Sequence, residues 1–197
     1  MFLITGCGRS GTSYMTKVLN NCGLNVGHEA LGRDGVVSGR YCYEAEFYPC
    51  AHPAPRPHFD VILHQVRRPL KTIASVMTGR SRLWSQQFVP VELTASTLRF
   101  SCYYWLTWNL EAERQALWTY RIEDLEDVWL DLRRVLCFDT SYDLATSGVP
   151  KNTNSRQHAS VTWQDVKKAA PEIYEDICLT ADRYGYYDII DINEVLT

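Results

Sequence analysis

Several things are missing from this sequence, and each absence narrows what the chain can be. Seven cysteines stand at 7, 22, 42, 50, 102, 137 and 178, yet no two make a C-x-x-C pair, the spacing that redox centres and zinc ribbons use. An odd, scattered set reads instead as reduced thiols in a core. No apolar run approaches the roughly 18–20 residues needed to cross a bilayer, so no membrane span is expected. Basic charge is not in excess: 20 Lys and Arg face 23 Asp and Glu, for a net charge of −3. That balance gives no general attraction to nucleic acid, and any anion site must be built from a few placed arginines. No basic leader or cleavage site precedes the first strand-like run, which sets the expectation of a cytoplasmic protein. No internal repeat or low-complexity tract breaks the chain.

What is present is enough apolar material for one sizeable core: 46% hydrophobic residues, with six Trp and twelve Tyr in 197 residues. A single domain over 1–197 is expected. Phe2-Leu3-Ile4 reads as a strand buried on both faces. Thr5-Gly6-Cys7-Gly8 breaks it, and a helix follows to about Cys22, with Gly23 as its stop. Gly6, Gly8 and Gly11 admit a ligand close to the backbone. Ser10, Thr12 and Ser13 add hydroxyl donors where a helix opens with unpaired N–H groups. Strand, glycine loop and helix start together form a cradle for an anion; read blandly, the same turn only connects its two neighbours. The nucleotide-triphosphatase loop G-x-x-x-x-G-K-[ST] has Lys after the second glycine. Here Thr12 holds that place and the cation stands earlier, at Arg9.

Further along, Leu24-Asn25-Val26 reads as a brief strand that delivers His28 and Glu29 at its carboxyl end, where open α/β sheets bind ligands. Gly32 to Gly35 is a loop signal. Val36-Val37-Ser38 and the aromatic run Tyr41, Tyr43, Phe47, Tyr48 then lead into a proline-rich excursion, Pro49 to Pro57. Asp60 to Val66 is a clear strand, and Arg67-Arg68-Pro69 ends it with Pro69 set for the first turn of a helix to about Thr78. Residues 92 to 115 read as a long helix with Leu98, Cys102, Trp105, Asn109 and Ala112 on one stripe, widened by Tyr104 and Trp108. Leu117 to Ile122 is a strand, and Leu125 to Leu136 a helix. Residues 138 to 160 are irregular. Thr162-x-x-Asp165 opens another helix by a box-like cap, and a last one runs from Pro171 to about Tyr184. Alternating strands and helices predict an α/β, three-layer α/β/α fold with a mostly parallel, P-loop-type sheet.

The segment Gly8-Arg9-Ser10-Gly11-Thr12-Ser13 resembles the 5′-phosphosulfate loop of sulfotransferases, and Arg67-Arg68-Pro69 with Ser75 resembles their second signature. In that signature a strand-end Arg and a Ser eight residues later hold a 3′-phosphate. The resemblance implies that Arg9, Ser10, Gly11, Thr12 and Ser13 hold the 5′-phosphosulfate, and that Arg67 and Ser75 hold the 3′-phosphate, of 3′-phosphoadenosine 5′-phosphosulfate. Tyr120 to Leu125 looks like the family's Y-R-x-E-D-L segment, read mainly as structure with a local ion pair. Residues 152 to 156 look like its late basic loop, with Arg156 as the candidate there and Lys151 a weaker one, although the R-K-G form is absent. Glu29 follows Arg9 at nearly the offset used by the catalytic Glu of protein-tyrosine sulfotransferases, which makes Glu29 the first candidate for the base and His28 the second. Arg9 is the candidate for stabilising charge on the leaving phosphate.

The implied reaction moves a sulfuryl group to a hydroxyl or amine of a small-molecule, glycan or peptide acceptor, without a metal. Cys50, His52, His58 and His64 lie close together but match no common zinc spacing. Two rivals stay open. One is a nucleotide kinase or other phosphoryl transferase, which the missing Lys disfavours. The other is a catalytically silent nucleotide-binding module.

Overall fold

In the computed structural model, which describes residues 1–43, 56–79, 82, 85–92, 94–138, 144–150 and 158–186, the apolar run at the start becomes β1, Phe2–Thr5, all four residues buried. The other strands are β2 (Val26–His28), β3 (Gly35–Val37), β4 (Val61–Val66) and β5 (Trp118–Arg121), forming one five-stranded sheet in the order β2-β3-β1-β4-β5. Every pairing is parallel. The helices are α1 (Thr12–Asn21), α2 (Pro69–Met77), α3 (Thr97–Gln115), α4 (Leu125–Val135), α5 (Trp163–Ala169) and α6 (Tyr174–Arg183). α1 and α4 share one core, with Met15, Leu19, Trp129 and Leu132 packed on Phe2, Ile4 and Leu63. α2, α3, α5 and α6 share another, built around Ile73, Trp105, Trp108, Val166 and Ile177. The three-layer α/β expectation is met.

Topology decides where a ligand belongs. From β1 the chain passes through α1 to β2 at one edge of the sheet; from β4 it passes through α2 and α3 to β5 at the other. Right-handed crossovers in opposite directions put α1 and α2 on opposite faces, so the adjacent carboxyl ends of β1 and β4 open a crevice between them.

Three elements depart from the sequence reading. Leu24 and Asn25 stand outside the strand, because Asn25 is spent on a turn: its N–H donates to Asp34 Oδ2 (2.7 Å) and its Oδ1 accepts from Arg33 N (2.8 Å). β2 starts at Val26, whose outer backbone edge is capped by the Asn20 amide at 2.8 and 2.9 Å. Gly35–Val37 is a strand beside β1, not part of a loop and excursion. Three residues beginning with glycine give too little β-type sequence to be seen. The long helix begins at Thr97, because Ser96 caps it by accepting from Arg99 N at 3.2 Å.

The helix stripe itself is as expected, with Cys102, Tyr104, Trp105, Trp108, Asn109 and Ala112 all buried. The capping box of Thr162 and Asp165 is formed, and Pro69 opens α2. Five of the described cysteines are buried, while Cys137 is exposed and so not a core thiol. Of the aromatic run, Tyr41 packs edge-on against Phe59 and Tyr43 stacks on Phe88; Phe47, Tyr48 and the prolines through Pro55 lie outside the described residues. Among the described residues no helix is long and apolar enough to cross a membrane.

Candidate active site

The loop after β1 is moulded against β4. A Cβ on Gly6 would stand 2.2 Å from the Gln65 carbonyl oxygen, so no larger residue fits. Gly11, at φ 97°, is the N-cap of α1, and no side chain caps that helix end. Its first N–H groups thus have no side-chain cap, the arrangement that leaves a helix start able to bind an anion. Ser10 Oγ is buried and has no hydrogen-bond partner among the described residues. An orphaned hydroxyl inside a glycine loop suits a ligand oxygen there.

Arg9 sits at φ 77°, in the left-handed region, which costs a non-glycine residue about 1–2 kcal/mol. Its Nε donates to Ser75 Oγ at 2.9 Å, and Arg67 Nη1 donates to the Arg9 carbonyl at 3.2 Å. The two cradles seen in the sequence, Arg9 on one and Arg67 with Ser75 on the other, are thus one connected group at the crevice between β1 and β4. Ser75 is 1% exposed, so its hydroxyl is fixed by packing.

No family model, curated protein or solved structure matches this chain.

Three supports of the loop were not read from the sequence. Gln65, fully buried on β4, donates Nε2 to the Ser10 carbonyl (2.9 Å) and accepts from Tyr120 Oη (2.8 Å). Tyr104, on α3, accepts the Gly8 N–H at 3.2 Å. Burial, with Cys7 and Glu29 adding to it, raises the Tyr104 phenol well above its ordinary pKa, so it stays neutral. Trp108 Nε1 donates to the Gly39 carbonyl at 2.7 Å, holding the turn that follows β3. A polar glutamine beside His64 in a strand otherwise made of Val, Ile and Leu was the available signal; the two aromatics look like any other core residues on their helix.

Both base candidates lie at the same sheet edge. His28 is exposed, and its Nε2 is 3.2 Å from Thr12 Oγ1 at the start of α1. Glu29 stands at φ 55°. Its carboxylate accepts from Ser38 Oγ, from Gly39 N (3.2 Å) and from Arg40 N (3.2 Å), with Oε2 taking two of the three bonds. Lone-pair capacity is left on Oε1. Among the described residues only Arg9, Glu29 and Cys137 combine a side chain with positive φ. Arg9 and Glu29 are two of the three residues singled out for catalysis, and such backbone strain persists where surrounding bonds over-determine it.

The remaining candidates divide. Arg68 gives its N–H to Glu123 Oε1 (2.9 Å), while Glu123 Oε2 accepts from Tyr186 Oη (3.0 Å), so Glu123 anchors the start of α2. Arg121 pairs with Asp124 as the local ion pair expected of that segment. His64 is buried between Thr119 Oγ1 and Asn109 Oδ1, each at 3.1 Å, and burial lowers its pKa to about 4. It is a neutral core imidazole. Arg156 and Lys151, with Cys50 and His52, lie outside the described residues. His158, just after that segment, sits with Nδ1 3.0 Å from Thr78 Oγ1 at the end of α2.

Proposed function

We propose that this chain transfers the sulfuryl group of 3′-phosphoadenosine 5′-phosphosulfate to a hydroxyl or amine of a small-molecule, glycan or peptide acceptor. The observation that carries the reading is the Arg67–Arg9–Ser75 connection at the switch point between β1 and β4. A nucleotide phosphorylated at both the 5′ and 3′ positions needs two anion cradles within one ligand's reach, and these two touch. In an in-line transfer the bond between sulfur and the 5′-phosphate oxygen breaks as the acceptor oxygen or nitrogen bonds to sulfur. Arg9 and the start of α1 stabilise the charge left on the phosphate. Glu29 takes the acceptor's proton through the free capacity of Oε1, held in place by Ser38 and Gly39. The products are the sulfated acceptor and adenosine 3′,5′-bisphosphate.

Nucleotide preference tests the two-cradle arrangement. Each charge-assisted contact to the 3′-phosphate contributes roughly 1.5–3 kcal/mol. Adenosine 3′,5′-bisphosphate should therefore bind at least about tenfold more tightly than AMP by calorimetry. Arg67→Ala should remove most of that preference. Equal affinities in the unaltered protein would refute the arrangement.

A further inference from the structure

Gln65 is 0% exposed, so both ends of its amide need partners. Burial pushes the Tyr120 phenol up in pKa, keeping it protonated and a donor. The Ser10 carbonyl can only accept, so the amide end facing the loop is the NH2 group, which draws that carbonyl toward β4, and the oxygen is left to accept from Tyr120. Two residues on, just past the end of β4, Arg67 draws in the Arg9 carbonyl as well. A trans peptide sets its N–H opposite its C=O. Holding the Ser10 carbonyl against β4 therefore turns the Gly11 N–H away from it. The Ser10 N–H is spent on the Cys7 carbonyl at 3.1 Å, whereas the Gly11 N–H donates to no partner among the described residues.

We propose that Gln65, oriented by Tyr120, is a positioning residue that locks the Ser10–Gly11 peptide so that the Gly11 N–H meets the 5′-phosphate end of the ligand. The proposal rests on the reading of this loop as the 5′-phosphosulfate cradle. Without the Gln65 amide, a peptide ending in glycine turns over at little cost, and the loop presents a carbonyl oxygen where a donor is needed. Loop shape alone does not prevent this, because the Gly6 contact involves the Gln65 backbone and survives replacement of its side chain.

The test uses Gln65→Met, close in length and volume, and the milder Tyr120→Phe, which removes only the hydroxyl that orients the amide. Calorimetry compares adenosine 3′,5′-bisphosphate with 3′-AMP. Gln65→Met should weaken the bisphosphate by about tenfold or more and 3′-AMP by less than about twofold, as loss of one charge-assisted donor implies. Tyr120→Phe should shift the ratio in the same direction by less. In the free protein, the Gly11 amide resonance should be single in the unaltered chain and doubled or broadened in both variants. An equal loss on both nucleotides, or an unchanged Gly11 resonance with an unchanged affinity ratio, overturns the role of Gln65. If the unaltered protein gains nothing from the 5′-phosphate, the phosphosulfate reading fails by itself, and the Gly11 resonance still decides whether Gln65 locks the peptide.

Discussion

Arg9→Ala should leave the protein folded and slow sulfuryl transfer by about a hundredfold or more, the size of effect seen when a transition-state donor is removed. The fold should survive because the guanidinium is only half-buried and its bond to Ser75 Oγ is a single hydrogen bond. Losing that bond costs on the order of 1 kcal/mol, a small part of the roughly 5–15 kcal/mol that holds a domain of this size. Alanine inherits the left-handed backbone at φ 77°, so its circular dichroism must match the parent before rates are compared. Arg9→Lys should fall between the two, since it keeps the charge but loses the planar fork. A folded alanine variant with near-parental turnover would mean that Arg9 serves only to seat Ser75.

Glu29→Gln should reduce turnover by roughly 10²–10⁴ while changing affinity for adenosine 3′,5′-bisphosphate by less than about twofold. Glutamine keeps the length and one accepting oxygen, but it cannot take a proton, and its NH2 group must face one of the donors from Ser38, Gly39 or Arg40. Some loss of thermal stability is therefore expected alongside the kinetic loss. Ser38→Ala separates the two effects: it disturbs the carboxylate's seat without removing the base, so its rate should fall less than that of Glu29→Gln. His28→Ala removes a contact to Thr12 and should cost less than about tenfold. Turnover should therefore fall much further in Glu29→Gln than in His28→Ala. The reverse pattern would move the proton to the histidine.

The site's parts were legible in the sequence to the extent that they are local. The β1–loop–α1 unit, the Pro69 start of α2 and the Thr162–Asp165 box each lie within a few residues, so spacing and turn chemistry reveal them. Arg67 and Ser75 could be paired with the Arg9 loop only through a likeness to a known arrangement; their contact across 58 and 66 residues is a product of the parallel register of β1 on β4. What could not be read was support that crosses the fold. Tyr104 reaches Gly8 over 96 positions, and Tyr120 reaches Gln65 over 55. In sequence each is an aromatic on an apolar face, indistinguishable from its neighbours in the core. The same holds for Glu29: its place after a strand suggests a base, but only the structure shows that the turn after β3 grips it. β3 was hidden because it is three residues long and begins with glycine, so the strand that brings Ser38 to Glu29 left no periodic trace.

Transfer itself is the most direct test. The protein is incubated with 3′-phosphoadenosine 5′-phosphosulfate carrying a labelled sulfuryl group, together with pooled metabolites, glycans and peptides, and the mixture is read by mass spectrometry. The account predicts labelled sulfate esters or sulfamates on one acceptor class, adenosine 3′,5′-bisphosphate in equal amount, and loss of both with Arg9→Ala. Tight binding of the donor with no labelled acceptor from any class, or turnover of magnesium ATP in its place, would contradict it.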